Sequence, residues 1–279
     1  MTPLFACDLD RTLIYTVRSA ALGSANDEAD QSAMGLRCVE RVHDEPLSYV
    51  TEDVPGLLRR LRELCVFVPV TTRSRGQYRR VDLFTGPNEP EWAVCANGGH
   101  LLHRGRPDVD WHRRMADRLD ATSADPGEVA RRIAALGDWV TRSRVADGLF
   151  AYALVDVSAA QDEPIADLAA WLDERGWVLS RQGRKIYAAP AGVDKWEAVE
   201  EVLRRTGASQ VGAAGDSILD RALLDRADFS VRPPHGELDI IGHPTDIVVA
   251  APGAAAGAAI LRAAIDWAGE HARPAEARS

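Results

Sequence analysis

The sequence has few cysteines, and none of them forms a C-x-x-C pair or a zinc-like cluster. The four residues stand about thirty positions apart, at Cys7, Cys38, Cys65 and Cys95. Isolated cysteines of this kind behave mostly as small buried hydrophobic residues. We therefore expect reduced, largely buried thiols and no redox centre.

Signals for membrane insertion or export are also missing. The amino terminus enters a short apolar run without a basic segment or a cleavage site, which argues against a signal peptide. The long alanine-rich stretch at 250–268 is interrupted by Pro252, Arg262 and Asp266, so it is a poor bilayer span. The sequence predicts a cytoplasmic protein with no membrane partner.

The sequence has fewer basic than acidic residues: 33 lysines and arginines against 42 aspartates and glutamates, for a formal net charge of -9. Such a field repels polyanions, so we expect no nucleic-acid partner. A small phosphorylated substrate is still compatible, because a bound divalent cation and a few basic groups can reverse the sign within one pocket. The sequence also lacks a Gly-x-Ser-x-Gly elbow and a Walker phosphate loop, which disfavours the hydrolases that use them.

What the 279 residues do contain is a repeated alternation of short apolar runs and amphipathic segments. The runs at 4–7, 67–70, 211–214 and 247–249 are typical of buried parallel strands. Between them, leucines at 57–64 and apolar residues at 196–203 follow a helical period, and Gly207 is placed to end the second helix. This order predicts an α/β fold with a doubly wound, Rossmann-like parallel sheet.

Two stretches interrupt this alternation. The first, at about 15–50, is expected to form a mobile loop followed by a β-hairpin. The second, at about 98–183, contains its own hairpin signal, two helical segments and two strand segments. We therefore predict a discontinuous core at 1–97 and 184–279, with a smaller inserted α/β cap domain at 98–183.

The first acidic motif, Asp8-Leu9-Asp10-Arg11-Thr12, follows the amino-terminal strand directly. Ligands of open α/β sheets bind beyond the carboxyl ends of the strands, where both acids would lie. The alternative is an ordinary turn, in which Asp10 or Thr12 only satisfies backbone donors.

The second acidic motif, Gly215-Asp216-Ser217-Ile218-Leu219-Asp220, repeats this placement after another strand. Ser217 and Asp220 also fit a capping box at the start of a helix. That structural interpretation leaves Asp216 without a role.

Thr71 ends a third strand, and Lys195 begins the helix that precedes the second acidic motif. Each has an ordinary explanation, as a helix-entry residue and a solvated lysine. Together with the acids, however, they meet the needs of phosphoryl transfer to an aspartate. Carboxylates hold a hard cation, one of them can be a covalent nucleophile, and positive charge offsets the phosphate oxygens.

In this combination and order, the motifs resemble those of the haloacid dehalogenase (HAD) superfamily. The resemblance implies that Asp8 is the nucleophile, that Asp10 is the general acid and base, and that Thr71 and Lys195 bind the phosphoryl group. It also implies a Mg²⁺ site formed by Asp8, the backbone carbonyl of Asp10, and Asp216 with Asp220. Within that site, Asp220 would orient Lys195 or metal-bound water.

The large insertion introduced by Cys95-Ala96-Asn97-Gly98-Gly99 is similar to that of the branch with sucrose-phosphate, trehalose-phosphate and mannosyl-phosphoglycerate phosphatases. Two features depart from the branch: the second motif reads Thr-Thr-Arg where Thr-Gly-Arg is common, and the insertion at 15–50 is long. Both departures affect which substrate is expected, and neither removes a residue that the expected phosphoryl transfer needs. The predicted substrate-binding residues are Thr12, Thr72, Arg73, Asn97, Arg184 and Lys185.

Cap residues are expected to determine specificity. Arg142, Arg144 and Arg181, like Arg184 and Lys185, lie near predicted cap strands and either grip a second anionic group or are solvated strand-edge charges. Trp171 and Trp177 are expected to be core residues rather than sugar platforms.

The resemblance implies a magnesium-dependent phosphatase that acts on a small phosphorylated metabolite through an aspartyl-phosphate, as a monomer or homodimer. The acid at Asp10 favours phosphate chemistry over dehalogenation. Two alternatives stay open: a phosphotransferase of the same superfamily, and a non-catalytic binding or regulatory module with the same fold.

Overall fold

The computed structural model describes residues 2–20 and 35–272. The strands are β1 (Leu4–Cys7), β2 (Tyr15–Thr16), β3 (Leu36–Val42), β4 (Glu45–Thr51), β5 (Val66–Pro69), β6 (Trp92–Cys95), β7 (His100–His103), β8 (Arg106–Pro107), β9 (Val140–Ala146), β10 (Phe150–Val155), β11 (Trp177–Gln182), β12 (Lys185–Pro190), β13 (Val211–Ala214), β14 (Phe229–Arg232) and β15 (Ile247–Val248).

The helices are α1 (Val17–Ala20), α2 (Val54–Leu64), α3 (Arg75–Tyr78), α4 (Val109–Thr122), α5 (Pro126–Ala134), α6 (Asp162–Asp173), α7 (Lys195–Thr206), α8 (Arg221–Arg226), α9 (Glu237–Ile240) and α10 (Ala254–His271). Short 3₁₀ turns lie at Asp82–Phe84, Gly86–Asn88, Ala96–Gly98 and Ile218–Asp220.

The central sheet is parallel, in the order β15-β14-β13-β1-β5. A parallel bridge between Val70 and Val94 brings β6 alongside β5, and β6, β7 and β8 continue as an antiparallel meander. The predicted α/β class with a parallel core sheet is confirmed. The order of the strands places β1 in the interior of the sheet, where its carboxyl end has neighbours on both sides.

The residues of β1 show why the sheet needs helices on both faces. Phe5 and Cys7 pack in one apolar cluster with α2 and α10, whereas Leu4 and Ala6 pack in another cluster with α7 and α4. Successive strand side chains point to opposite faces, so a strand that is apolar at every position must be covered on both sides.

Helix α7 begins and ends as its sequence predicts. The side chain of Asp194 accepts a hydrogen bond from the backbone N–H of Glu197 at 2.9 Å, and Gly207 ends the helix with φ +68°. An oxygen acceptor before the first turn and a glycine in the left-handed region are preferred helix caps. The cap at Asp194 fixes the position of the next residue, Lys195.

A second sheet is antiparallel, in the order β11-β12-β10-β9, and packs with α5 and α6. Trp177 is buried in this layer as expected, and the partly buried ring of Trp171 lies under the guanidinium of Arg175. Strand β12 belongs to this sheet although it follows position 183. The domain boundaries drawn at 98 and 183 stay a prediction.

The hairpin expected in the first insertion is β3 and β4, which β2 joins at its edge. The mobile loop predicted before it falls largely on 21–34, outside the described residues. The ladder between β3 and β4 is irregular at Glu40, where the register shifts on both sides. Val39 and Glu40 are consequently both buried, although they are neighbours in a strand.

Each of the four cysteines is a free thiol, and Cys7, Cys65 and Cys95 are buried. Within residues 2–20 and 35–272, no helix combines the length and hydropathy that a membrane span requires.

Candidate active site

The carboxyl ends of β1, β5 and β13 meet at one edge of the central sheet. Asp8 follows β1, and its backbone N–H donates to the carbonyl of Ala214 at the end of β13 at 2.9 Å. Thr71 lies just beyond β5 and is fully buried. The sheet thus brings together side chains that lie far apart in the sequence.

Four of these residues form what we call the lysine cluster: Asp8, Lys195, Asp216 and Asp220. The ammonium of Lys195 donates to Oδ1 of Asp8 at 2.6 Å and to Oδ1 of Asp220 at 2.5 Å. Lys195 is 1% exposed, and it stands at the first position of a helix, where the dipole disfavours a cation. The two carboxylates provide the charge compensation that this position requires.

Burial dominates the electrostatics of the lysine cluster. Burial raises the pKa of Asp8 to about 7, against the lowering effect of Lys195, and the charges of Asp220 and Asp10 add to the rise. Burial and the charges of Asp8 and Asp220 raise the pKa of Asp216 well above its ordinary value. Three acids against one lysine leave a surplus of negative charge that a bound cation would relieve.

Of the four side chains in the lysine cluster, that of Asp220 makes the most hydrogen bonds. Its Oδ2 accepts from the backbone N–H of Ser217 at 2.9 Å and from the Ser217 hydroxyl at 2.7 Å, which confirms the predicted capping box. A Cβ on Gly215 would lie 2.4 Å from Cβ of Asp220, so only glycine allows this approach. With Oδ1 bound to Lys195, Asp220 is placed to anchor the lysine.

The carboxylates of the cluster fit a hard divalent cation. Ligand oxygens of Asp8, Asp216 and Asp220 lie within 4.8 Å of one another. Oδ1 of Asp216 is buried and has no hydrogen-bond partner among the described residues. A buried carboxylate oxygen without a donor is costly, and coordination of Mg²⁺ by oxygen ligands would remove that cost.

The second group, which we call the arginine cluster, consists of Asp10, Arg73, Glu40, Ser48 and Arg80. Arg73 holds Asp10 through two hydrogen bonds, Nε to Oδ2 at 2.7 Å and Nη2 to Oδ1 at 2.9 Å. Its Nη1 donates to Oε2 of Glu40 at 2.9 Å. The arginine cluster adjoins the lysine cluster because only Leu9 separates Asp8 from Asp10.

Asp10 therefore differs from Asp8 in the direction in which its surroundings shift its pKa. Although burial raises the pKa of Asp10, the guanidinium of Arg73 and the charges of Lys185 and Lys195 hold it well below its ordinary value. Asp10 is also partly exposed, with 22% of its side chain accessible. The structure favours the carboxylate, which is the form that can accept a proton.

The predicted phosphoryl and substrate ligands of the core have different surroundings. Oγ1 of Thr71 accepts from the backbone N–H of Arg73 at 3.1 Å, and Thr72 is buried next to it. The hydroxyl of Thr12 is buried without a partner among the described residues. Asn97 donates from Nδ2 to the carbonyl of Val193 at 3.2 Å, so it braces the start of α7.

Among the predicted cap residues, the structure brings Lys185 towards the site. The charges of Tyr187 and Asp10 raise the pKa of Lys185 against its burial, and Nζ of Lys185 donates to the Tyr187 hydroxyl at 3.2 Å. Arg181 pairs with Asp162 at 2.8 Å. The remaining cap arginines, Arg142, Arg144 and Arg184, are exposed.

Three residues that border the site have no role that their sequence motifs predict. Arg11 has φ +66°, and its Nε lies 3.5 Å from Oδ2 of Asp216. Glu237 accepts from the backbone N–H groups of Arg181 and Ile218, which ties the second sheet to the turn after β13. Glu40 is fully buried against Arg73. The feature of the sequence that could have identified these three residues is a charged side chain within an apolar or turn segment.

Solved structures with the same fold include a sucrose-phosphatase from Synechocystis sp. PCC6803 in complex with sucrose and phosphate, with 17% identity, TM-score 0.63 and coverage of 95% of this chain and 98% of that chain. A sugar phosphatase of HAD subclass IIB has 13% identity, TM-score 0.62 and coverage of 95% and 99%. A trehalose-6-phosphate phosphatase related protein has 16% identity, TM-score 0.54 and coverage of 96% and 99%.

These structures confirm the expected resemblance to HAD phosphatases at the level of the fold, over nearly the whole chain. No protein-family model matches the sequence, and no curated protein matches it. A shared fold does not fix the activity, which depends on the side chains of the site.

Proposed function

We propose that the chain is a magnesium-dependent phosphatase that hydrolyses a small phosphorylated metabolite of the sugar-phosphate type through an aspartyl-phosphate on Asp8. The observation that carries this proposal is the lysine cluster, in which Lys195 holds one oxygen of a buried aspartate beside an Asp216 oxygen that has no donor among the described residues. The shared fold with sugar-phosphate phosphatases supports the same class of substrate.

In the first step, the carboxylate of Asp8 attacks phosphorus and the bond to the leaving alcohol breaks. Lys195 anchors Oδ1, and Oδ2 of Asp8 accepts no hydrogen bond from the described residues, so Oδ2 is the oxygen available for attack. The ammonium of Lys195 also offsets charge on the phosphoryl oxygens, and Thr71 lies at the same edge of the sheet to bind one of them.

Asp8 and Asp216 are the residues that would hold Mg²⁺, together with the backbone carbonyl of Asp10, while Asp220 orients Lys195. When bound, the cation neutralises the acids of the cluster and the phosphate charge. Asp8 would then stay ionised, since a cation beside it would oppose the rise in pKa that burial causes.

Asp10 is the acid and base of the two steps. It gives a proton to the leaving oxygen, and the resulting carboxylate then takes a proton from the water that attacks the aspartyl-phosphate. The contact with Arg73 favours the carboxylate, which is the form required in the second step. For the first step, Asp10 takes up a proton from solvent on one oxygen when the phosphate of the substrate lies beside it, because a nearby negative charge raises the pKa of a carboxyl group, while Arg73 continues to hold the other oxygen.

The second sheet would select the leaving group, with Lys185, whose pKa the charge of Asp10 helps to raise, as a charged contact. We propose that this sheet and its helices form the cap, and that the parallel sheet and its helices form the catalytic core. A cytoplasmic location and the state of assembly stay predictions from the sequence.

The test is phosphate release from p-nitrophenyl phosphate and a panel of sugar phosphates, with Mg²⁺ and with EDTA. We expect Mg²⁺-dependent release that falls by at least about three orders of magnitude in Asp8→Asn. Asp266→Asn, which changes an exposed acid in α10, is the matched control and should retain full activity. Full activity of Asp8→Asn would disprove the proposal, and transfer to a second sugar in place of water would identify a phosphotransferase.

A further inference from the structure

Glu40 is a buried carboxylate contributed by the hairpin β3–β4, outside the motifs that define the lysine cluster. It is 0% exposed and accepts from the hydroxyl of Ser48 at 2.6 Å. It also accepts from Arg73 at 2.9 Å and from Arg80 at 3.1 Å. A buried acid with donors on both oxygens is fully satisfied, so its position is well defined.

The hydrogen bonds form a chain from the hairpin to the site. Glu40 holds Nη1 of Arg73, and the Nε and Nη2 groups of the same guanidinium hold the two oxygens of Asp10. Because a guanidinium is planar, fixing one edge fixes the direction of its other donors. The position of Glu40 therefore determines how the carboxyl group of Asp10 is oriented.

Attachment of the hairpin to the core does not by itself require a buried acid at Glu40. A buried ion pair often contributes no more stability than apolar residues of similar volume would. The hairpin already has apolar anchors, since Val39 and Val50 are buried in the main core cluster. An antiparallel bridge from Glu40 to Val81 also ties β3 to the segment after α3. The charge of Glu40 thus has a use other than attachment.

We propose that Glu40 is a positioning residue that fixes Arg73, and through Arg73 fixes Asp10 for proton transfer to the leaving group. This inference rests on the proposed phosphatase function. The hairpin thereby has a role in catalysis, because it contributes the buried acid that holds Arg73, and Arg73 in turn holds Asp10.

The experiment measures kcat/KM for a series of aryl phosphates whose leaving groups differ in basicity. A positioned general acid matters most for the most basic leaving groups, so its loss steepens the dependence of rate on leaving-group pKa. In Glu40→Gln we expect little change for p-nitrophenyl phosphate and a loss of at least about tenfold for phenyl phosphate. Glu45→Gln, which removes an exposed acid from the same hairpin, should leave the dependence unchanged.

The slope of this dependence does not vary with the fraction of folded enzyme, so partial unfolding cannot produce the expected result. A uniform loss across the series would overturn the inference, because it would indicate a structural role only. If Glu40→Gln yields no folded protein, Ser48→Ala removes one donor to Glu40 and should steepen the slope to a smaller extent. An unchanged slope in Ser48→Ala would then overturn the inference. Wild-type protein that releases phosphate from none of the esters would instead refute the proposed function.

Discussion

The lysine cluster and the arginine cluster adjoin each other, yet they handle charge in opposite ways. The lysine cluster has three buried acids and one lysine, and its Asp8 and Asp216 have raised pKa values. In the arginine cluster, two acids face two arginines, and the pKa of Asp10 is lowered. The first cluster is therefore suited to attract a cation, and the second is suited to hold one carboxylate ionised and oriented.

The largest expected effect comes from removing the cation of the lysine cluster. Lys195→Met should abolish activity and lower the free energy of unfolding by about 3–5 kcal/mol, because Asp8 and Asp220 would lose their buried partner. Urea unfolding of the metal-free protein would measure the loss. Lys185 is the only other lysine in the sequence, and Lys185→Met should cost much less stability because it leaves no buried acid without its main partner. Equal losses would contradict the comparison.

A smaller effect of opposite sign is expected at Asp216. Asp216→Asn removes a carboxyl group whose ionisation burial opposes and whose Oδ1 has no hydrogen-bond partner among the described residues, so it should raise the stability of the metal-free protein even though Arg11 lies 3.5 Å from Oδ2. It should also weaken Mg²⁺ binding by at least about tenfold, measured by calorimetry, because the cation loses a charged ligand. Unchanged Mg²⁺ affinity would show that the cation does not use this residue.

The smallest expected effect is the pH dependence of stability. The pKa of Asp8 rises from an ordinary 3.8 to about 7 in the folded protein. Between these two pKa values, the folded state keeps a proton on Asp8 that the unfolded state releases. The contribution of Asp8 to the free energy of unfolding therefore declines as the pH rises from about 4 to about 7. Asp10 acts in the opposite sense, since its lowered pKa adds stability that is lost only in acid, below its ordinary pKa.

Urea unfolding in EDTA at about pH 6 and about pH 7.5 would test this difference. The decline with pH should be smaller in Asp8→Asn than in the wild type by about 1 kcal/mol. An equal decline in both proteins would contradict the raised pKa of Asp8.

The two clusters also differ in how far the sequence could predict them. The residues of the lysine cluster follow apolar strands or begin an amphipathic helix. Because the carboxyl ends of parallel strands lie at one edge of the sheet, the sequence alone predicts that these residues come together. Glu40 escaped prediction because alternation would separate it from the buried face of Val39. The irregular ladder at Glu40 buries both residues, and a local irregularity of this kind has no periodic signal.

Arg73 illustrates a second limit. The sequence predicts that Arg73 contacts substrate, and this stays a prediction. The structure shows in addition that its guanidinium N–H groups bind acids from two other segments, Asp10 and Glu40. Pairings between residues 33 and 63 positions apart depend on how the hairpin packs on the sheet. Only the folded arrangement shows which partner a buried arginine takes.

The most direct test of the account is chemical trapping of the phosphorylated residue. Wild-type protein would be mixed with its best substrate and Mg²⁺, quenched in acid and reduced with borohydride, which converts an aspartyl-phosphate to homoserine. Peptide mass spectrometry should find homoserine at position 8 and an unmodified residue at position 10. Homoserine at another position, or none during steady turnover, would contradict the assignment of Asp8 as the nucleophile.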